Sequence, residues 1–212
     1  MFCLPIDVRC GSMADWVALF IALAALTFTI ASFWWLNTRR GRLESYEPHS
    51  FAAHVSKERV LLRLPLVLFN TGAQPIVVQN LRVRFPEEDQ PDMALDWNNT
   101  RTQLKPVQDD HEDLRAVFAV PGRAAVQKFV EFAGSFPGVV PRGRNYDALV
   151  EAKLGHDPDW TSLLRFTLYA VHINSPTQFI TYSNTATLCS PDEPEKAKQT
   201  AESLLRRFGV AH

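Results

Sequence analysis

The sequence predicts a mainly β protein on a membrane anchor: one N-terminal transmembrane helix, an antiparallel β-sandwich of about seven to nine strands, and a C-terminal amphipathic helix. Three observations predict it. Residues 16–38 carry no charge, short runs with period-two apolar alternation fill residues 43–190, and apolar residues recur at helical spacing after Asp192. The organisation that follows is a short segment at 1–15, a transmembrane helix at 16–36, a basic linker at 37–42, a sandwich domain at 43–190 and a terminal helix at 191–212.

The anchor runs from Trp16 to Leu36. A helix rises about 1.5 Å per residue, and roughly 20 apolar residues cross a hydrocarbon core about 30 Å thick. A cleaved signal has a shorter apolar region, a basic start and a small-residue cleavage site. In this chain the positive charge follows the apolar run, and Trp34-Trp35-Leu36 stands where a cleavage motif would be. Trp16 at one end and Trp34 and Trp35 at the other suit the aromatic belts of the two interfaces.

Basic residues set the expected orientation. Arg39, Arg40 and Arg42 follow the helix and only Arg9 precedes it, so the positive-inside rule places the C-terminal domain in the cytoplasm and the N-terminus outside, at a plasma or inner membrane. Met13 is a candidate start, since a chain beginning there would lose Arg9 and sharpen the asymmetry. Beyond the anchor Cys189 stands alone, which forbids an internal disulfide in the domain and fits a reducing compartment. The Asn98-Asn99-Thr100 triplet is a glycosylation acceptor only in a secretory lumen, and a chance occurrence is preferred.

The strands come next. Val60, Leu62, Leu64, Leu66 and Leu68 share one face of a first clear strand. Pro65 lacks a backbone donor, so this strand is expected at a sheet edge or with a bulge. Asn70 to Pro75 is dense in turn residues, and Val77, Leu81, Val83 and Phe85 alternate beyond it, which predicts a hairpin. Further strands are expected at Arg115–Val120, Ala124–Phe132, Tyr146–Leu154, Leu163–Ile173 and Gln178–Thr187, with weaker ones at Leu43–Tyr46 and Phe51–Val55. A closed barrel is the alternative architecture.

The stretch from Leu66 to Val78, with its apolar strand, Asn70-Thr71-Gly72 and Pro75, resembles a turn of immunoglobulin-like sandwiches. The resemblance covers only those residues and lacks the paired cysteines of antibody-type domains. It implies a fold class and no function.

Asp192 and Glu195 have capping-box spacing ahead of the terminal helix. Ala197, Ala201, Leu204, Leu205 and Phe208 form one apolar stripe, Arg206 and Arg207 suit the negative helix end, and Gly209 can end it. Packing on its own domain is favoured for this stripe. The functional reading makes Leu204, Leu205 and Phe208 a contact for a partner protein rather than for lipid.

Signatures of chemistry are few. The six histidines form no metal-binding pair, and the nine glycines are scattered singly, with no phosphate loop among them. His172, at the end of a strand, is expected to be a satisfied edge residue. The acidic cluster Asp109–Asp113 lacks the spacing of a calcium loop and is expected to be solvated, as is Glu87-Glu88-Asp89. Cys189 has no basic neighbour to lower its pKa. The Pro/Gly-rich connector from Gly134 to Gly143 would expose Phe136 and Val140. Beyond Arg42 the charge balance turns slightly acidic, which excludes nucleic acid as a partner.

These observations point to no enzyme and no cofactor. The favoured function is a cytoplasmic protein-interaction or scaffolding module held at the bilayer. The alternative is an outward-facing sandwich that binds a small ligand or carbohydrate, and a membrane-bound enzyme with a dispersed site ranks last. Among the small residues Ala18, Ala22, Ala25 and Ser32 there is no G-x-x-x-G, and the Ala18–Ala22 spacing only weakly suggests homo-oligomerisation in the bilayer.

Overall fold

A computed structural model describes residues 13–86, 94–107, 109–135, 144–186 and 192–208. Arg9, Cys3, Cys10, Glu87-Glu88-Asp89, Phe136, Val140, Cys189, Gly209 and His212 lie outside the described residues.

Helix α1 (Met13–Phe33) ends in a single wide turn at Trp34–Thr38, which Arg39 closes by donating its N–H to the Trp34 carbonyl at 3.0 Å. No residue of α1 is buried by the rest of the chain. Together these turns are long and apolar enough to cross a membrane, with mean hydropathy 2.2. The hydroxyls of Thr27 and Thr29 donate to the Leu23 and Ala25 carbonyls, each at 2.8 Å, so neither presents an unpaired donor to lipid.

Among the described residues eleven strands follow, all paired antiparallel in one sheet. The first four are β1 (Leu43–Ser45), β2 (Ser50–Val55), β3 (Arg59–Asn70) and β4 (Ile76–Arg84). Next come β5 (Ala94–Arg101), β6 (Glu112–Leu114), β7 (Phe118–Val120) and β8 (Ala125–Ser135). Then follow β9 (Tyr146–Leu154), β10 (Trp160–Leu168), a single 3-10 turn at Ala170–His172, β11 (Ile180–Ser183) and helix α2 (Glu193–Phe208). The order across the sheet is β10-β9-β4-β5-β8-β3-β2-β11, with β1 beside β3, β6 beside β5 and β7 beside β4.

This continuous sheet curls into a half-barrel, where two separate sheets were expected. Its concave face is the core. Leu62, Leu64, Leu66 and Leu68 of β3 meet Leu81 and Val83 of β4, Val130 and Phe132 of β8, and Ala148, Val150 and Ala152 of β9, all buried. The period-two alternation thus points each strand's apolar side inward.

Two expectations need correction. β3 and β4 are not a hairpin: β3 pairs with β8, β2 and β1, whereas β4 pairs with β5, β7 and β9. The Asn70–Pro75 segment is an arch across the mouth of the curl, held by the buried Asn70. Its amide donates to the Gln74 and Val120 carbonyls at 2.8 and 3.2 Å, and its Oδ1 accepts from the Gly72 N–H at 2.9 Å. Pro65 lies inside the sheet, in register with Phe129 and without a bulge. It is tolerated because β2 pairs with β3 only up to Arg63 and β1 only from Leu68, leaving Pro65 in a gap on that side.

Asn184 draws the two ends of the curl together. Its amide donates to the Pro48 and Thr167 carbonyls at 2.9 and 3.1 Å, and its Oδ1 accepts from the Tyr169 N–H at 3.0 Å. Pro48 precedes β2 at one end of the sheet, and Thr167 lies in β10 at the other. Helix α2 closes the neighbouring opening, with Leu204 buried against Val55 and Val60 and Phe208 beside them. Val55 and Val60 also line a small wholly apolar cavity of about 30 Å³, together with Phe85 and Tyr146.

Candidate functional site

Sequence and structure single out one junction: the place where the long apolar helix meets the domain. The linker Arg39–Arg42 is fixed to the arch by its backbone. Ala73 donates its N–H to the Arg39 carbonyl at 2.8 Å and Thr71 donates to the Arg42 carbonyl at 3.0 Å. The Arg42 N–H in turn donates to the Thr71 hydroxyl at 2.9 Å. Gly41 and Gly72 lie back to back in this contact, which leaves no room for a side chain on either. Helix α1 is thus joined to the domain by a hydrogen-bonded splice rather than a free tether.

The turn between β7 and β8 completes the junction. Gly122 packs against Ala73 without room for a Cβ, and Arg123 adopts the left-handed conformation at φ 54°. A side chain there costs about 1–2 kcal/mol of backbone energy. Arg123 is held by its N–H to the Gly72 carbonyl at 2.8 Å and by its guanidinium to the Trp35 carbonyl at 2.7 Å. A cation on the carbonyls that end a helix is favourably placed against the helix dipole.

The anchor residues predicted from sequence are distributed as follows. Trp16 and Trp35 stand near opposite ends of the apolar helix, about 28 Å apart at helical rise. Trp16, Trp34 and Trp35 are exposed. Arg39 sets its guanidinium over the Trp35 ring, 4.1 Å from the centroid. Arg40 and Arg42 are exposed, and no carboxylate among the described residues pairs with either. Sequence reasoning found the arginines but missed Arg123, Gly41 and Gly72, which converge only once the arch is built.

A second constellation lies on the other face of the sheet and corrects the expectation of a solvated acidic loop at one position: the Asp110 side chain is buried, whereas Asp109, His111, Glu112 and Asp113 are exposed. The segment between β5 and β6 folds over Arg63 and buries it. Arg63 donates from Nη1 to Asp110 at 2.9 Å and to the Gln103 carbonyl at 3.0 Å, and from Nη2 to Glu131 at 3.0 Å. All three charged side chains are at most 3% exposed. Asn99 donates to Glu131 at 3.1 Å and to Glu112 at 2.6 Å, while Arg101 donates to Glu112 at 2.9 Å. A bulge between Trp97 and Asn99 makes this network, because the extra residue shifts the phase of β5 and turns Asn99 to the face of Glu131. Two arginines face three carboxylates in this network, so the opposite charges offset one another in part, an arrangement suited to pinning the loop.

The histidines stay apart. His54 of β2 stacks near Phe179, with ring centroids 5.9 Å apart. Burial above all, and then the Arg59 charge, hold it below its ordinary value of 6.5, with Glu131 pulling the other way. His172 is buried in the 3-10 turn, not on a strand edge, with Nε2 3.2 Å from the Thr185 carbonyl. Burial pushes the Tyr182 hydroxyl up to about 12, against a smaller opposing effect of the Ser175 backbone. Among the described residues no three His, Cys, Asp or Glu side chains are gathered to hold a metal ion. In α2, Ala197, Ala201 and Leu204 are buried and Leu205 and Phe208 half-buried, so the apolar stripe faces the domain.

No protein-family model matches the chain, and no curated protein does. Among solved structures, a crystal structure of a protein from Archaeoglobus fulgidus is similar at TM-score 0.33 and 9% identity, covering 67% of this chain and 98% of that one. Beta-glucosidase 3B from Thermotoga neapolitana in complex with glucose is similar at TM-score 0.24 and 10% identity. There the match covers 68% of this chain and 17% of the other. Likenesses of this size bear on neither fold nor function.

Proposed function

We propose that this chain is a single-pass membrane protein whose mainly β domain faces the cytoplasm and serves as a protein-interaction or scaffolding module. The observation that carries the proposal is the junction: an apolar helix with no residue buried by its own chain, continuing into an arginine-bearing linker hydrogen-bonded to the domain. Arginines on that side favour a cytoplasmic domain at a plasma or inner membrane. A splice in place of a tether holds the domain in one orientation, which suits presentation of a fixed surface to a partner. An immunoglobulin-like kinship belongs to the same proposal, supported by the Asn70–Pro75 arch, which joins two strands that do not pair with each other.

The partner contact is expected at a free sheet edge or at α2. Leu204 packs inward, so a partner binding through Leu204, Leu205 and Phe208 must first lift the helix from Val55 and Val60.

Protease protection in sealed membranes, with a tag on each terminus, tests the orientation. The C-terminal tag should survive until the cytoplasmic side is opened. Pull-downs with and without residues 192–212 then test the contact, and loss of the captured partner on truncation would assign it to α2. Cleavage of the domain from outside would overturn the cytoplasmic reading and bring an outward-facing ligand- or carbohydrate-binding domain to the front.

A further inference from the structure

We infer that the junction holds a binding site for an anionic phosphate group, and that its natural occupant is the headgroup of an acidic phospholipid. The inference rests on α1 as the membrane anchor, and on neither the side the domain faces nor a protein partner.

The site is a cleft lined by Arg40, Gly41, Gln74, Pro75, Ile76 and His156. Its volume is about 120 Å³. One water needs about 10–15 Å³ by the same measure, so a phosphate group fits. The linker and the arch supply one wall, and the turn between β9 and β10 supplies His156 on the other. Arg40 brings a permanent charge and fixed-fork donors that suit phosphate oxygens, and the His156 ring adds an N–H donor across the cleft.

Three further observations separate this cleft from an ordinary exposed arginine. The Arg40 backbone is held between the anchored Arg39 and Arg42 carbonyls, so less chain entropy is lost when a ligand is bound. Arg123 and Arg39 meet Trp35 at the end of the apolar helix, which places this end of the domain at headgroup level. Arg40 and Arg42 have no carboxylate partner among the described residues, so their charge is available. Asp157 and Asp159 share the turn of His156 and oppose an anion. The Asp157 carboxylate, however, accepts the Asp159 N–H at 3.0 Å and is turned into its own loop.

The test uses the full chain in detergent, titrated with phosphatidylglycerol or phosphatidylcholine and read by native mass spectrometry. A first phosphatidylglycerol should be retained more strongly than phosphatidylcholine. Arg40→Gln should weaken it about fivefold, the weight of one arginine at a membrane surface, and Arg40→Gln with His156→Gln should weaken it further. Arg206→Gln with Arg207→Gln, on the exposed face of α2, should leave it unchanged. All four positions are exposed, so each variant is expected to fold, which circular dichroism checks. Competition by inorganic phosphate at equal potency would assign the site to free phosphate and overturn the lipid assignment. Equal retention of both lipids, or equal losses in the cleft and α2 variants, would overturn the site. None of these results depends on which side of the membrane the domain occupies, so the proposed function stands or falls separately.

Discussion

Gly41 and Gly72 meet backbone to backbone: a Cβ on Gly41 would stand 1.9 Å from the Gly72 nitrogen, and a Cβ on Gly72 equally close to the Gly41 nitrogen. Neither neighbour is a flexible side chain that could move aside, so an added methyl must part the linker from the arch. Gly72→Ala is therefore expected to cost on the order of 2–3 kcal/mol if the splice stays closed. If it opens instead, Arg39, Arg40 and Arg42 lose their backbone restraint. Trypsin digestion reads this directly: the wild-type linker should be cut slowly and the Gly72→Ala linker rapidly. Equal cutting of the two would mean that the linker is already free.

Arg63 is the cation that reaches Asp110 and Glu131 together, with Arg101 Nε more distant at 3.9 Å from Glu131. Removing it leaves Asp110 without a cation and Glu131 with only the more distant Arg101, and breaking a buried ion pair in this way costs roughly 3–5 kcal/mol. Arg63→Ala should lower stability by that order in denaturant titration, with faster hydrogen exchange in the segment between β5 and β6. Arg63→Lys should recover only part, since a single ammonium cannot repeat the fork that reaches Glu131 and Asp110 together. A loss under about 1 kcal/mol for Arg63→Ala would show the cluster to be solvated after all.

The pattern of what was legible follows from physics. The strands β3, β8 and β9 were readable because each has one face in the core, so apolar residues recur along them at period two. The strand β5 escaped notice although it is central, pairing with β4, β6 and β8. Asp96, Asn98 and Asn99 make it polar, and the bulge between Trp97 and Asn99 breaks its period. The hairpin prediction failed because turn residues mark where a chain bends and not which strand it bends toward. At the junction, the arginines and tryptophans were visible as composition at a membrane edge. Their fixation by Gly41, Gly72 and Arg123 was not, since those residues come from three distant stretches that meet through the arch. The burial of Asp110 was hidden for the same reason: its partner lies in β3, far away in sequence.

His54 gives the domain an acid-side pH dependence. Its folded value lies below 6.5, so on acidification the unfolded chain takes up this proton before the folded one does. Stability is then greatest above about pH 6.5 and declines as pH falls toward the folded value. Thermal unfolding between about pH 7 and pH 5 should accordingly show a steeper decline for the wild type than for His54→Gln, which cannot titrate. Parallel slopes would mean that the ring is solvated and contributes nothing to the dependence.

Asn184 joins the two ends of the curled sheet through a side chain that donates twice and accepts once. Asn184→Ala leaves the Pro48 and Thr167 carbonyls and the Tyr169 N–H without these partners. At roughly 1–3 kcal/mol for a stranded buried group, and with water entering part of the space, the loss should be about 2–4 kcal/mol. Asn184→Asp keeps the shape and the acceptor but turns a carboxylate toward two carbonyl oxygens, so at neutral pH it should be the more damaging substitution. Acidification should narrow the gap between the two variants, because a protonated carboxyl can donate to one of those carbonyls. The measurement is the midpoint of thermal unfolding for both variants across pH. If Asn184→Asp is the milder change at neutral pH, the amide is not the donor to Pro48 and Thr167, and the ends of the curl are held by something else.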